Sequence, residues 1–467
     1  MAAYELVKER FQLPVECYQF QQGAINDLAH LDRIGLYLDV GTGKTITSIV
    51  IALFKLLTES AGTVICLMPP ILLTNWSRTL AKIPGITHTV YRGSPAKRAK
   101  MNLDVDFILM SYQIFKKDWS KLQEFYMSRT VVIICDEAQA VKNVGSDTHK
   151  KVRDFAVCNH LMLLTGTPLS YPVDAYAYVK LVSPNIYRNQ LQFERVHVTE
   201  YDFFGKATGF ANLDLLNENL RVNSVRVLKE DVLHELPPVT YTELYYELNA
   251  DHLKLYRELA NQQLKVLEDG SKIDITGASK LYNALQQIPA NAEHFSGGEV
   301  SSTVYELIDE ILDELGTGKL VLFTKYKMTN RQLLERYVHV GVRALYSDIT
   351  QTQQQANIDA FVNDPSCRLL VLQYQSGGAG IDNLQLVCSD VLFIELPPTA
   401  AHFTQAVARV HRSGQKKNVN VRIALAERTI QLYLWDMVMQ KDELVNKCIR
   451  GPEDLRKVVM GEYRRKE

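Results

Sequence analysis

The sequence IGLYLDVGTGKT at residues 34–45 joins an apolar run to a glycine loop and then to the start of a helical pattern. Gly41 and Gly43 allow the backbone to curl until successive N–H groups point inward, where a phosphate can bind. Lys44 adds a mobile positive charge for the β- and γ-phosphates. Thr45 offers a hydroxyl to Mg²⁺ at a helix N-terminus that already favours anions. The alternative, a chance glycine turn, is disfavoured by the strand, the helix and the GKT together.

The letters GTGK recur at residues 316–319, in a different context. There they follow a helical pattern, VYELIDEILDEL, and precede the apolar run LVLFT. The glycines therefore predict a helix C-cap and a loop, and Lys319 predicts the start of a strand. Because no helix begins after this loop, we expect a structural role there and no phosphate.

The bulk composition is ordinary for a soluble globular protein: 467 residues, 46% hydrophobic and 22% charged. This length predicts two to four domains. A net charge of −1 gives no global basicity, although a cleft that binds DNA needs only local charge. Seven cysteines without a CxxC pair favour a reducing compartment and argue against zinc. No apolar run reaches the ~18 residues of a membrane span, and the N-terminal sequence does not resemble a signal peptide, so we expect an intracellular, soluble protein.

Apolar runs and helical patterns alternate through the first half of the chain. The runs at 63–69, 106–112, 131–139 and 160–168 each end in polar or glycine-containing loops. This alternation predicts a parallel sheet covered by helices, with the loops at the strand C-termini forming a site. Upstream of the glycine loop, the amide of Gln21 is suited to the adenine edge of a nucleotide. Taken alone, that segment would be a solvated helix start.

Two adjacent carboxylates, Asp136 and Glu137, follow the apolar run VVIIC directly. Asp136 is suited to hold Mg²⁺ through water, and Glu137 is suited to orient the attacking water. A solvated turn is the usual explanation for an isolated Asp-Glu pair. The preceding strand and the glycine loop upstream favour a hydrolytic site instead.

Several spaced blocks together resemble the Swi/Snf-type ATPases of helicase superfamily two. DEAQAVKNVGS at 136–146 is similar to that family's DEAH-x-IKN-xx-S, with Gln139 in place of histidine. PPILLTNW at 69–76, MSYQIF at 110–115 and LLTGTP at 163–168 resemble other family segments. LKEDVLHELPP at 228–238 does so as well. The resemblance covers nearly the whole chain.

The second half alternates again from residue 319, and it ends in the motif QAVARVHRSGQ at 405–415, which resembles the family's QA-xxR-x-HR-x-GQ. Arg409 and Arg412 lie three residues apart, so a helix would place them on one face. Such a pair in isolation is usually solvated. The resemblance implies that they act as arginine fingers on the γ-phosphate once the lobes close. SGGAGI at 376–381 resembles a family loop that approaches nucleotide and DNA.

The resemblance implies an α/β fold of two RecA-like lobes, with parallel sheets flanked by helices and helical protrusions between the lobes. We expect the first lobe at 1–248, with a protrusion within 186–235. A helical protrusion and linker would follow at 249–301, and the second lobe at 302–467. ATP would bind between the lobes, and double-stranded DNA would lie across them.

Family motif positions give the expected site residues. The groups acting in catalysis would be Lys44, Asp136, Glu137, Arg409 and Arg412. The nucleotide-binding residues would be Gln21, Gly41, Thr42, Gly43, Lys44, Thr45, Gly380 and Gln405. Thr45 and Asp136 would hold Mg²⁺. DNA would contact Asn75, Trp76, Ser111, Tyr112, Lys142, Asn143, Thr324 and Lys325. Thr165, Gly166 and Thr167 would couple the two sites.

We expect an ATP-dependent translocase or helicase on double-stranded DNA. The compact layout resembles enzymes that remodel branched DNA by fork regression or Holliday-junction branch migration. Its partners would then be double-stranded and branched DNA together with replication or recombination proteins, and it would serve replication, recombination or repair. One alternative is a duplex translocase that displaces or recycles DNA-bound proteins. Another, a nucleotide-switched DNA-binding protein without turnover, is disfavoured by the intact set of catalytic groups.

Overall fold

The computed structural model describes residues 1–58, 60–166, 168–169, 172–201, 207–233, 235–268, 283–374, 381 and 383–439. The chain divides into two compact units, Met1–His234 and Glu235–Glu467. Each unit is built on a parallel sheet. Among the described residues, no helix is both long and apolar enough to cross a bilayer.

Seven strands of the first unit form one parallel sheet. They are β1 Arg33–Leu38, β2 Thr63–Met68, β3 His88–Val90, β4 Phe107–Ser111, β5 Val131–Asp136, β6 His160–Leu164 and β9 Ser224–Val227. Their spatial order is β3-β4-β2-β5-β6-β1-β9. The remaining strands of the unit, β7 Val198–Tyr201 and β8 Ala207–Phe210, pair as an antiparallel hairpin. Every residue of β2 and β5 is buried, which explains why these strands are continuous apolar runs.

Helices connect the strands of the first unit. They are Ala3–Arg10, Gln19–Leu28, Lys44–Leu57, Leu73–Leu80, Pro95–Ala99, Tyr112–Lys117, Trp119–Phe125, Asp147–Phe155, Ala175–Val182, Gln190–His197, Leu213–Arg221 and Lys229–Val232. Short 3₁₀ turns lie at Pro70–Leu72, Ala138–Val141 and Pro172–Asp174. Several N-termini carry side-chain caps: Ser146 accepts from the His149 N–H, and Asn189 accepts from the Gln192 N–H. Such caps satisfy N–H groups that the first helical turn leaves unpaired.

The second unit contains a six-stranded parallel sheet. Its strands are β10 Val239–Tyr246, β11 Leu320–Thr324, β12 Val342–Leu345, β13 Leu369–Gln373, β14 Asp390–Phe393 and β15 Val419–Ala426, in the order β10-β15-β14-β11-β13-β12. Alternate residues of β11 belong to different core clusters, Val321 and Phe323 to one and Leu320 and Leu322 to the other. Because successive strand residues point to opposite faces, apolar residues cover this sheet on both sides.

Helices of the second unit include Ala250–Glu268, Ala292–Ser296, Val304–Glu314, Lys327–Arg336, Gln351–Asn363, Ala400–Val407 and Gln431–Met439. Its 3₁₀ turns are Ile288–Ala290, Val338–Val340 and Leu384–Leu386. Helix Ala250–Glu268 packs Tyr256 and Ala260 into a cluster with Ile430 and Tyr433. The α/β class with two parallel sheets, expected from the alternating pattern, is therefore confirmed.

The division between the units falls earlier than the expected boundary at 248/249. Strand β10 pairs in parallel along its length with β15, from Val239 opposite Val419 to Tyr246 opposite Ala426. Residues 239–246 therefore belong to the second sheet. The segment after them, 249–301, contributes Tyr256 and Ala260 to the core of the second unit.

The second GTGK stretch has the structural role that its context predicted. Gly316 has a φ of 57° just after helix Val304–Glu314 and its C-cap Leu315. The Gly318 N–H donates to the carbonyl of Leu315 at 2.7 Å. Lys319 then leads into β11. This confirms a helix C-cap and loop, with the strand beginning immediately after it.

Candidate functional site

The glycine loop at 39–43 links the carboxyl end of β1 to helix Lys44–Leu57. Gly41 and Gly43 have φ values of 88° and 83°, the left-handed region that glycine adopts most readily. A Cβ at Gly43 would lie 2.2 Å from Nε2 of Gln21. The Thr42 hydroxyl donates to the Asp39 carbonyl at 2.7 Å and closes the turn. The loop therefore has the curled backbone predicted for phosphate binding.

The Lys44 ammonium lies against the base of the loop. Its Nζ donates to the carbonyls of Leu38 at 2.8 Å and Asp39 at 3.2 Å. Burial lowers the pKa of Lys44, while the negative charges of Glu137 and Asp136 act in the opposite direction. The carboxylates are therefore close enough to Lys44 to interact with its charge.

Gln21 lies beneath the glycine loop with 2% of its surface exposed. Its Nε2 donates to the Thr42 carbonyl at 2.9 Å, and its Oε1 accepts from the Tyr18 N–H at 2.8 Å. Both ends of the amide thus have partners within the protein. In this structure Gln21 supports the loop, and its contact with adenine stays a prediction.

Asp136 is the last residue of β5, and Glu137 follows it with a φ of 54° and a ψ of 58°. This left-handed conformation is uncommon outside glycine and often marks a functional site. The Asp136 carboxylate accepts from the Glu137 N–H at 2.9 Å and from Nε1 of Trp76 at 2.8 Å. Burial, followed by the charge of Glu137, raises the pKa of Asp136 above its ordinary value. The strand end thus concentrates negative charge that a cation would stabilise.

Gln139 joins the carboxylates to the loop after β6. Its Nε2 donates to the Glu137 carboxylate at 2.7 Å, and its Oε1 accepts from the Thr165 hydroxyl at 3.2 Å. From the sequence, Gln139 was only a departure from the family's histidine. The structure instead shows that it links Glu137 to Thr165, the first of the predicted coupling residues.

The close packing around residue 166 explains why a glycine follows Thr165. A Cβ at this position would lie 3.1 Å from the Val40 backbone nitrogen and 3.2 Å from Nζ of Lys44. A larger residue would therefore press against the glycine loop. Thr165 lies at Gln139 and Gly166 lies beside Lys44, and their coupling role stays a prediction. Thr167 lies outside the described residues.

Arg226 on β9 is a site residue that the sequence analysis missed. One guanidinium nitrogen donates to the carbonyls of Tyr37 and Gly166, each at 2.9 Å. The other donates to the Asp39 carboxylate at 2.8 Å. An arginine between Val225 and Val227 was the available signal. Arg226 thus ties the ends of β1 and β6 to the base of the glycine loop.

The donor set fits Mg²⁺. Thr45 lies in the first turn of helix Lys44–Leu57 and is half-buried. Asp136 supplies a buried carboxylate. Among the described residues, no group of three or more His, Cys, Asp or Glu side chains could hold a metal ion. A hydroxyl and one or two carboxylates suit Mg²⁺, which usually keeps several waters and binds phosphate oxygens as well.

Four of the predicted DNA contacts have little exposed surface. Trp76 and Thr324 are 0% exposed, and Ser111 and Tyr112 are 5% and 7% exposed. Trp76 and Tyr112 hydrogen-bond to Asp136, Thr324 donates to Asn330, and Ser111 caps helix Tyr112–Lys117. Partners inside the protein argue against the direct DNA contact predicted for these four side chains.

The other four DNA candidates lie nearer the surface. Asn143 is exposed and Asn75 is half-buried. Lys142 forms an ion pair with Asp174 at 3.3 Å, and Nζ of Lys325 donates to Gln286 at 2.6 Å. Burial lowers the pKa of Lys325, and the charge of Glu395 opposes that shift. Contact between DNA and these four side chains stays a prediction.

In the second unit, the expected helical face for Arg409 and Arg412 is wrong. Helix Ala400–Val407 ends before both residues, and Gln405 lies half-buried within it. The chain continues in tighter turns, with the Val410 N–H donating to the Val407 carbonyl.

The Gln415 amide holds the segment that follows this helix. It donates to the Val410 carbonyl at 3.2 Å and to the Cys388 carbonyl at 2.9 Å, so it ties that segment to Cys388. Arg412 donates to the Ile381 carbonyl at 3.2 Å. Gly380, expected nearby as a nucleotide contact, lies outside the described residues.

Comparison with known families gives two matches along the chain. Residues 25–294 match the SNF2-related domain. Residues 303–414 match the helicase conserved C-terminal domain. The glycine loop, the paired carboxylates and the segment around Thr165 all lie within the first match, and Arg409 and Arg412 lie within the second.

Curated relatives are similar over most of this chain. A mouse chromodomain-helicase-DNA-binding protein 1-like is 27% identical over 94% of this chain and 49% of its own length. An ATP-dependent helicase of Mycoplasma pneumoniae is 26% identical over 88% of this chain and 40% of its own length. The chain therefore spans half or less of the length of these relatives.

A solved structure aligns along nearly the whole chain. The SWI2/SNF2 ATPase core of Sulfolobus solfataricus in complex with double-stranded DNA is 23% identical, with a TM-score of 0.45. It covers 96% of this chain and 97% of that one. The fold of this chain is assigned from its own two parallel sheets.

Proposed function

The chain belongs to the SNF2-related family of helicase-type ATPases, and from this premise we propose that it uses ATP hydrolysis to move along double-stranded DNA. The observation that carries the proposal is the cluster at the ends of β1, β5 and β6. There the Glu137 N–H donates to Asp136, and Gln139 joins Glu137 to Thr165. Lys44 interacts with the charges of both carboxylates. Carboxyl ends of parallel strands are where such folds bind nucleotides.

The residues of the first unit divide the work of hydrolysis. The glycine loop binds the phosphates through its N–H groups, and Lys44 neutralises the charge of the β- and γ-phosphates. Thr45 and Asp136 would hold Mg²⁺, which would stabilise charge developing on the phosphates. Glu137 orients the attacking water. Gln139 keeps the Glu137 carboxylate in place through its hydrogen bond at 2.7 Å.

Arg409 and Arg412 are proposed to stabilise negative charge on the γ-phosphate in the transition state. Arginine fingers of this kind contribute about 10³–10⁵ in rate. Both arginines occupy positions of a family motif, and they would be the second unit's contribution to ATP turnover. The Gln415 amide donates to the Val410 carbonyl and so holds the segment that carries them. Thr165 and Gly166 would pass the state of the nucleotide to the DNA-binding segments.

Duplex DNA would be held mainly through its phosphates. Asn75, Lys142, Asn143 and Lys325 are the candidate contacts with exposed or half-buried side chains. Phosphate contacts release counterions, so binding should weaken as salt rises and should depend little on sequence. Remodelling of branched DNA, by fork regression or branch migration, is the finer form of the proposal.

Displacement of DNA-bound proteins is the second candidate function. It is favoured by the names of two relatives: a Schizosaccharomyces pombe subunit of a chromatin structure-remodeling complex and a Saccharomyces cerevisiae TATA-binding protein-associated factor, each 25% identical to this chain. Translocation along a duplex could serve either task, because a moving motor meets both branch points and bound proteins.

Stimulation of ATP turnover by different DNA substrates tests the proposal. The protein is assayed with single-stranded, duplex, forked and four-way-junction DNA, with the Lys44→Ala variant as the control. We expect duplex-containing DNA to stimulate phosphate release and Lys44→Ala to abolish it. Junction movement would favour the branched-DNA form, and release of a protein bound to linear duplex would favour the second candidate. Turnover that no DNA stimulates would contradict the proposal.

A further inference from the structure

Trp76 and Tyr112 converge on Asp136 from helices that follow two different strands. Trp76 lies in helix Leu73–Leu80, which follows β2, and Tyr112 begins helix Tyr112–Lys117, which follows β4. We propose that these two side chains form a hydrogen-bonded clamp that positions Asp136 and transmits DNA binding to the nucleotide site. The inference rests on the proposed function and assigns positioning roles to both residues.

The Trp76 arm acts on the carboxylate. Its Nε1 donates to Oδ2 of Asp136 at 2.8 Å, and the indole is 0% exposed. The other oxygen, Oδ1, accepts from the Glu137 N–H at 2.9 Å. Each carboxylate oxygen therefore has a donor that fixes its orientation. Hydrogen bonds to a charged group are stronger than neutral ones and restrict its rotation more.

The Tyr112 arm acts on the backbone of the same residue. Its hydroxyl donates to the Asp136 carbonyl at 2.8 Å, and the side chain is 7% exposed. In the sheet order, β2 lies between β4 and β5, so Tyr112 reaches past one strand to the end of β5. The two arms together hold both the side chain and the main chain of Asp136.

Both arms lie beside residues nearer the surface. Asn75 precedes Trp76 and is half-buried, and Gln113 follows Tyr112 and is exposed. A shift of either helix on contact with a DNA backbone would move a donor that holds Asp136. The path from surface to carboxylate is then a single side chain on each helix. Ordinary core packing would need the same rings but neither the indole N–H nor the phenol O–H.

Conservative variants separate the two explanations. Trp76→Phe and Tyr112→Phe keep an aromatic ring and remove the donor. We expect each to lower duplex-stimulated turnover about tenfold and to raise the Mg²⁺ concentration needed for half-maximal turnover, as loss of a group that orients a metal ligand does. The affinity for duplex DNA should stay close to that of the parent protein.

Trp119→Phe is the matched control. Trp119 is in the same unit, and its ring lies 5.3 Å from that of Phe115. Among the described residues, hydrogen bonds to Asp136 come from Trp76, Tyr112 and Glu137 and not from Trp119. We expect its Mg²⁺ dependence and duplex stimulation to equal those of the parent. A purely structural role for Trp76 and Tyr112 would lower the melting temperature and leave the Mg²⁺ dependence unchanged in all three variants.

Tryptophan fluorescence gives a readout that needs no turnover. The chain has three tryptophans, so Trp119→Phe combined with Trp435→Phe leaves Trp76 as the sole indole. We expect duplex DNA alone to change the emission of Trp76, and ATP with Mg²⁺ to change it again. In the same background, Tyr112→Phe should reduce the response to duplex.

The outcomes separate this inference from the proposed function. If the parent protein shows no DNA-stimulated turnover, the proposed function fails. If the parent turns over with DNA, but Trp76→Phe and Tyr112→Phe keep its Mg²⁺ dependence and its stimulation, the clamp is overturned. Trp76 emission that duplex DNA leaves unchanged would overturn the transmission through Trp76.

Discussion

The two GTGK stretches, 41–44 and 316–319, have the same letters and opposite surroundings. Lys44 follows the carboxyl end of β1 and opens a helix of 14 residues, whereas Lys319 follows a helix and leads into β11. Each ammonium donates to two backbone carbonyls, those of Leu38 and Asp39 for Lys44 and those of Phe361 and Asp364 for Lys319. The neighbouring elements, and not the letters, therefore decide what the lysine does.

The partners of the two lysines explain the difference. Lys44 interacts with the charges of Asp136 and Glu137, beside which a phosphate and Mg²⁺ would bind. Lys319 binds carbonyls at the end of helix Gln351–Asn363. A cation there satisfies unpaired carbonyls and interacts favourably with the helix dipole. One stretch is suited to a ligand, and the other to holding a helix end.

The largest effect is expected for Lys44→Ala. Loss of the ammonium removes the charge that faces the phosphates, so ATP turnover should fall below detection. Binding of duplex DNA without nucleotide should persist, because the candidate DNA contacts are separate side chains. Phosphate release and a DNA-binding titration in the same buffer check both parts. Retained turnover would contradict the assignment of the glycine loop.

The second largest effect on ATP turnover is expected for Glu137→Gln. The amide has nearly the shape of the carboxylate but cannot orient and polarise water as an anion does, so turnover should fall by about 10²–10⁴. ATP binding should remain, because Lys44 and the loop are unchanged. Nucleotide binding by equilibrium dialysis, compared with phosphate release, checks the split. Equal losses of binding and turnover would mean that Glu137 serves the fold instead.

Arg226→Lys should have a smaller effect on the first unit. A lysine cannot reproduce the fork that joins Tyr37, Gly166 and Asp39. We expect the free energy of unfolding to fall by about 2 kcal/mol, typical for a hydrogen-bonded charged group, together with slower turnover. Arg221→Lys, at an exposed helix end, is the control and should change neither. Denaturant unfolding and turnover of both variants test this, and a parent-like Arg226→Lys would contradict it.

Lys319→Ala should have the smallest effect and should leave catalysis alone. The lost interaction at the helix C-terminus should lower the free energy of unfolding by about 0.3–1 kcal/mol. DNA-stimulated turnover should equal that of the parent. Thermal unfolding and a turnover assay of one preparation check both. A loss of turnover without a loss of stability would give the second GTGK a role that its structure does not explain.

Local sequence pattern predicted what depends on local structure. The buried parallel strands were visible because both their faces are covered, which makes them continuous apolar runs. The curled glycine loop and the capped loop at Gly316 were visible because few residues tolerate a positive φ. These features follow from neighbours in the chain.

What the sequence did not predict depends on residues far apart in the chain. Arg226 reaches Asp39, and Trp76 reaches Asp136, only after the sheet has formed. The expected helix through Arg409 ends at Val407, and the segment beyond it is held by the Gln415 amide, which donates to the carbonyls of Val410 and Cys388. Strand β10 is an edge strand with mostly exposed or half-buried side chains, so its pattern did not mark it as part of the second sheet.

Phosphate release by the parent, Lys44→Ala and Lys319→Ala proteins, measured with saturating ATP and duplex DNA, tests most directly whether the first GTGK and not the second forms the nucleotide site. We predict duplex-stimulated turnover in the parent, the same turnover in Lys319→Ala, and none in Lys44→Ala. Turnover that survives in Lys44→Ala, or that is lost equally in both variants, would contradict this assignment.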